Sequence, residues 1–179
     1  MITAADSYLE ETRREFHGLK RLVEKALAQV SDANFFQALD PDSNSVAVLV
    51  KHLGGNLRSR WTDFLTSDGE KPDRRRDSEF EREPSDTRAG LLDRWEAGWR
   101  ALFATLEALR PEDLTREVFI RGEPHSVMRA INRALTHCAV HAGQIVLLCK
   151  HLAGPAWQTL SIARGKSEDF KPPKRIDPK

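Results

Sequence analysis

With 179 residues, 40% of them hydrophobic and 31% charged, the chain has the length and composition of one globular domain with a sizeable core. Its 28 basic residues against 27 acidic ones leave a net charge of +1, so nothing global points to nucleic acid or an anionic membrane as partner. No apolar run reaches the roughly 18–20 residues of a membrane span, and the start MITAADSYLEETRREF lacks a basic-then-apolar leader, so no membrane partner and a cytoplasmic location are expected.

Residues 3 to about 30 place Leu9, Thr12, Phe16, Leu19, Val23, Ala26 and Val30 at three- and four-residue intervals, which predicts an amphipathic helix. Ser31, Asp32 and Asn34 interrupt it. DPDSN at 40–44 offers turn residues and a cap, and SVAVLVKHLGGNLRSRWTDFLT over 45–66 reads as a second helix. Gly54 and Gly55 cost about 1 kcal/mol each inside a helix, so either the helix is weak there or another backbone packs close.

SDGEKPDRRRDSEFEREP, residues 67–84, has almost no apolar content apart from Phe80 and mixes both charge signs, as a long surface loop does. Ser85, with Asp86 in the first turn, is expected to open a third helix striped by Leu91, Leu92, Trp95, Trp99, Leu102, Phe103, Leu106 and Leu109. RPEDL ends it. TREVFIRGEPHSV alternates Val118 and Ile120 with polar neighbours, and Arg121, Gly122 and Glu123 form the turn of a small β-hairpin. Ser126 then caps a last long helix over 127–153, stopped by Gly154 and Pro155. The expectation is an all-α domain over 1–170, most simply a four-helix bundle with a small hairpin before its last helix, and a disordered tail at 171–179.

The last helix carries His137 and His141 one turn apart. At about 100° per residue their rings leave one face about 40° from each other, within reach of a common ion, as in zinc sites. The pattern alone is weak: with six histidines in the chain, chance gives such a pair in roughly one sequence in five, and two histidines hydrogen-bonded within or at the edge of the core account for it more often than a metal does. His52 on the second helix alters that balance, because three imidazoles from two helices make the ligand set that leaves a position open for water or substrate. The other histidines fit ordinary roles. His17 sits on the polar side of the first helix. His151 lies about 15 Å along the axis from His141 and suits the helix C-terminus, and His125 either caps the last helix or approaches the site.

His52 in VAVLVKHLGGNLRSRW, the pair in THCAVHAGQIVLL, the helix order and a closing WQTLSIARGKSEDF together resemble the DinB-like superfamily of metal-binding four-helix bundles, over about residues 3–170. That group includes bacterial thiol-dependent S-transferases. The resemblance implies one divalent metal held by His52, His137 and His141. Three imidazoles do not choose among Zn, Ni and Mn.

A metal with an open position lowers the pKa of a bound thiol or water, which fits S-transfer from a low-molecular-weight thiol to a small electrophile. Asn56, Gln144 and Asp63 project near the same faces, as ligand-orienting groups, substrate contacts or simple polar edge residues. Cys138 and Cys149, some 16 Å apart if helical, cannot pair and read as small core residues. Trp61, Trp95, Trp99 and Phe103 read as bundle core or dimer surface, and RRRDSEFER as a solvated stretch. Two functions stay open. One is a metal-dependent thiol transferase acting on a small molecule; the other is a non-catalytic, stress-associated binding or homodimerisation module whose metal is structural or absent.

Overall fold

Local capping chemistry sets most of the helix starts. In the computed structural model, which describes residues 1–169, Thr3 opens α1 (Ala4–Leu27) with a reciprocal box: its hydroxyl accepts Asp6 N–H at 3.1 Å, and the Asp6 carboxylate accepts Thr3 N–H at 2.8 Å. The tail at 171–179 lies outside the described residues. Ser31, expected only to interrupt α1, caps a second short helix, α2 (Asp32–Phe36), which seats Phe35 in the core. Ser45 caps α3 (Val46–Trp61) by accepting Val48 N–H at 3.2 Å.

Two helix boundaries differ from expectation. α3 stops at Trp61 rather than 66, because Thr62 turns extended with ψ 129°, its hydroxyl bonding Arg58 O, and Asp63 adopts left-handed backbone with φ 48°. α4 (Arg88–Ala108) begins after Thr87, whose hydroxyl accepts Gly90 N–H at 3.1 Å. Ser85 is not its cap, and Asp86 is drawn out of the first turn to accept from Lys51 Nζ on α3 at 2.9 Å. Pairing Lys51, only 4% exposed, outweighs the small dipole gain of an acidic first turn.

The hairpin follows as β1 (Glu117–Ile120) and β2 (Glu123–Ser126), antiparallel with Val118 opposite His125. Glu123 belongs to the strand, so the turn is Arg121 and Gly122 alone, at φ 57° and 74°. That is the positive-φ geometry that a two-residue hairpin turn demands. Ser126 ends β2 and caps α5 (Val127–Ala153), accepting Arg129 N–H at 3.2 Å; Gly154 at φ 55° closes the helix.

Among the described residues the protein is thus mostly helical, with five α-helices and one hairpin before the last. α1 packs along α5 and α3 along α4, around a core in which Trp61, Trp95 and Trp99 are at most 2% exposed. Gly54 explains the closeness of the second pair. A Cβ there would stand 2.9 Å from Arg94 O, so α4 backbone passes where a side chain would be. No helix among the described residues is long and apolar enough to cross a membrane.

The charged segment between α3 and α4 departs most from expectation, since part of it is a buried strap rather than a solvated loop. Asp68 accepts the N–H groups of Arg121 and Gly122 at 2.9 and 2.7 Å, and Gly69 N–H donates to Phe119 O at 2.8 Å, so the hairpin pins its start. Lys51 Nζ donates to Glu81 O at 3.0 Å and, with Asp86, pins its end. Glu79 between them is 7% exposed. Charge pairing does here what apolar residues do elsewhere, which is why a polar sequence can lie against α3.

Candidate metal centre

α3 delivers His52 and α5 delivers His137 and His141 to one point, where one nitrogen from each ring lies within 4.8 Å of the others. His52 Nε2 and His137 Nε2 are 3.2 Å apart. For comparison, two imidazole nitrogens sharing a tetrahedral ion at about 2.0–2.1 Å stand about 3.3 Å from each other. The helix geometry expected from the sequence is therefore realised: one turn of α5 places two rings together, and the third arrives from the helix that crosses them.

Two of the three rings are fixed from behind. His52 Nδ1–H donates to Glu79 Oε2 at 2.9 Å, and Arg74 grips the same carboxylate as a fork, Nε to Oε1 and Nη2 to Oε2, each 2.8 Å. Burial opposes the charge on Glu79, but the bonds from Arg74 and His52 hold its carboxyl below the ordinary range. An ionised Glu79 requires the proton on His52 Nδ1, and in the neutral ring that tautomer leaves the Nε2 lone pair facing the cluster. His141 is set likewise by Gln144, whose Oε1 accepts from Nδ1 at 2.7 Å.

His137 has no such support. Its Nδ1 is buried without a hydrogen-bond partner, and burial first, then the neighbouring His141, His52, Arg74 and Arg60, push its pKa down to about 3. Burial also lowers His141, against the bond from Gln144. Neutral rings with converging lone pairs are the protonation state in which imidazole binds a metal. The donor set and its orientation fit a divalent cation held by His52, His137 and His141.

The cluster opens into a cavity of about 430 Å³, a size suited to a small molecule. Asn56 lines it, as expected of its helix face, and Phe80 from the strap lies against His52 with ring centroids 4.6 Å apart. Asp63 does not line it; the end of α3 at Trp61 turns that residue away. His125 is buried on β2, donating to Glu123 O and accepting from Arg133 at 3.3 Å, and is not among the lining residues. His17 stacks on Phe103 at 3.9 Å, and His151 stands exposed in the last turn of α5. Cys138 and Cys149 are buried and unpaired, with burial pushing their thiols up to about 12 and about 11, so both are packing residues.

Sequence reasoning missed Glu79 and Arg74. Nothing in a run that also holds Glu81 and Glu83 marks Glu79 as the one turned inward. The available signal was Gly55: a Cβ at that position would collide with the Glu79 carboxylate, so the glycine keeps open the space through which that carboxylate reaches His52. Gly54 makes room for α4 and Gly55 for the strap.

A family model described as DUF1572, a protein of unknown function, matches residues 3–166 and so takes in all three histidines and the strap. No curated protein matches the chain, and no solved structure does.

Proposed function

The chain belongs to the DUF1572 family, and for this member we propose a divalent-metal centre on His52, His137 and His141 within a DinB-like four-helix bundle formed by α1, α3, α4 and α5. The observation that carries the reading is the orientation of the rings. Glu79 and Gln144 each accept a hydrogen bond from Nδ1–H and leave Nε2 directed at the cluster, an arrangement that ordinary core histidines do not need.

The activity proposed is transfer of a low-molecular-weight thiol to a small electrophile. A bound divalent cation supplies the Lewis acidity that lets a thiol ionise near neutral pH. The protein's own part is positioning: His52, His137 and His141 would hold the ion at the edge of the cavity, and Phe80 and Trp61 line that cavity with aromatic surface. A second copy of the chain is the proposed partner. Val140 and Leu147, seven residues apart on α5, are 56% and 68% exposed, which also suits the reading of a non-catalytic dimerising module.

Cobalt substitution separates the two. Co(II)-loaded protein titrated with cysteine or another low-molecular-weight thiol should develop thiolate-to-cobalt charge-transfer absorption that His137→Ala lacks, and should consume thiol when a panel of electrophiles is added. Metal-loaded protein that shows neither the absorption nor turnover overturns the transferase reading and leaves the binding module.

A further inference from the structure

The cavity beside the three imidazoles is walled by five guanidinium groups, from Arg60, Arg74, Arg76, Arg121 and Arg133, and by no carboxylate. The acidic partners stand behind this wall and are too few for it. Glu70 alone serves Arg60 at 3.1 Å, Arg121 at 3.2 Å and Arg74 at 3.3 Å. Asp68 spends its oxygens on backbone N–H groups. Arg74 is satisfied by Glu79, and Arg76 rests over Phe80 beside Asp77. The remaining three, Arg60, Arg121 and Arg133, are under-neutralised.

Arg60 shows the deficit most directly. Its side chain is 12% exposed, and Nη1, though within ion-pair distance of Glu70, is buried and makes no hydrogen bond. Burial lowers its pKa, Glu70 works the other way, and the like charges of Arg74, Arg121 and Arg133 add to the lowering. Among the described residues Arg133 has no acidic partner; its side chain hydrogen-bonds to His125 Nε2 at 3.3 Å, which steadies it without neutralising it. Like charges gathered in a concave site raise the local potential for an anion. Arg121 is brought there by the hairpin turn.

We infer that this wall is an anion subsite: Arg60, Arg121 and Arg133 take a carboxylate or phosphate group of a small organic molecule whose reactive end reaches His52, His137 and His141. Guanidinium forks match either group in geometry. Ile120, Ala130 and Ala134 supply apolar surface in the same cavity for the carbon skeleton between the two ends. The assignment of the reactive end rests on the metal centre proposed above; the anion contact rests on the arginines alone.

The test is calorimetric titration of zinc-loaded protein at low ionic strength with succinate, with inorganic phosphate and with succinamide, the neutral analogue of the first. At least one anion should bind about tenfold or more tightly than succinamide, and the tighter arm identifies the group recognised. Arg60→Gln and Arg133→Gln should each lose about tenfold in anion affinity at unchanged zinc content, while Arg14→Gln, on the exposed side of α1, should lose none. Equal binding of succinamide, or full anion affinity in Arg133→Gln, whose exposed side chain can be changed without disturbing the core, overturns the subsite. Protein that takes up no zinc yet discriminates the anion keeps the subsite and loses the metal reading; protein that loads zinc and does not discriminate does the reverse.

Discussion

α5 and the strap before α4 contribute to the same centre in opposite ways. α5 supplies two of the three imidazoles and needs only its own periodicity to do so, since a four-residue spacing on any well-packed helix brings two rings together. The strap supplies no ligand, but Glu79 and Arg74 determine which nitrogen of His52 faces the cluster. Ring position is thus a property of a regular helix, while ring orientation comes from an irregular segment whose place is set by ion pairs and hydrogen bonds with α3 and the hairpin. The two can therefore be disturbed separately.

The largest separate effect should come from Glu79→Gln, which removes the charge behind His52 and leaves α5 untouched. Metal affinity by chelator competition is expected to fall about 10–100-fold with little change in helix content. An unchanged affinity would reduce the strap to a covering loop. Next in size are the two adjacent glycines. Gly54→Ala presses on the backbone of α4, which cannot step aside, and should lower unfolding free energy by about 1–3 kcal/mol in denaturant titration. Gly55→Ala meets only the Glu79 carboxylate, so its main loss should be in metal affinity; the reverse ranking would mean that the strap, not α4, is the rigid neighbour.

Asp86→Asn tests what holds the strap down. Burial opposes the Asp86 charge, yet the Glu83 N–H and Lys51 keep its carboxyl below the ordinary value. A folded pKa below the unfolded one stabilises above about pH 4 and is lost as pH falls through the folded value, so the variant should be less stable at neutral pH and show a weaker acid dependence below about pH 4. A cost of about 1–2 kcal/mol at pH 7 is expected, since Lys51 keeps Glu81 O and Glu83 as partners. The smallest effect should be that of Gln144→Ala. The Gln144 bond to His141 is solvent-exposed, and metal affinity should fall by less than about tenfold.

The same contrast explains what the sequence made legible. The long helices, the hairpin and the convergence of His52 with His137 and His141 follow from periodicity, turn residues and two crossing faces, all of which are local patterns. Helix ends were less legible where a tertiary partner competed: Lys51 took Asp86 from the first turn of α4, and Ser31 started a helix where it was expected only to end one. The strap was least legible. Glu79, Glu81 and Glu83 carry the same chemistry in the same run, and only the space left by Gly55 singles out the first. Gln144 was among the expected neighbours and is one; Asp63 was too, and the left-handed turn after Trp61 removes it.

The measurement that bears most directly on the centre is metal content. Tag-free protein equilibrated with Zn²⁺, Ni²⁺ or Mn²⁺, dialysed and analysed by mass spectrometry should carry about one ion per chain for at least one metal, and His52→Ala, His137→Ala and His141→Ala should each carry less than about a tenth. Wild-type protein below about a tenth of an equivalent with every metal, or a His137→Ala variant that loads as fully as wild type, would contradict a centre built on these three histidines.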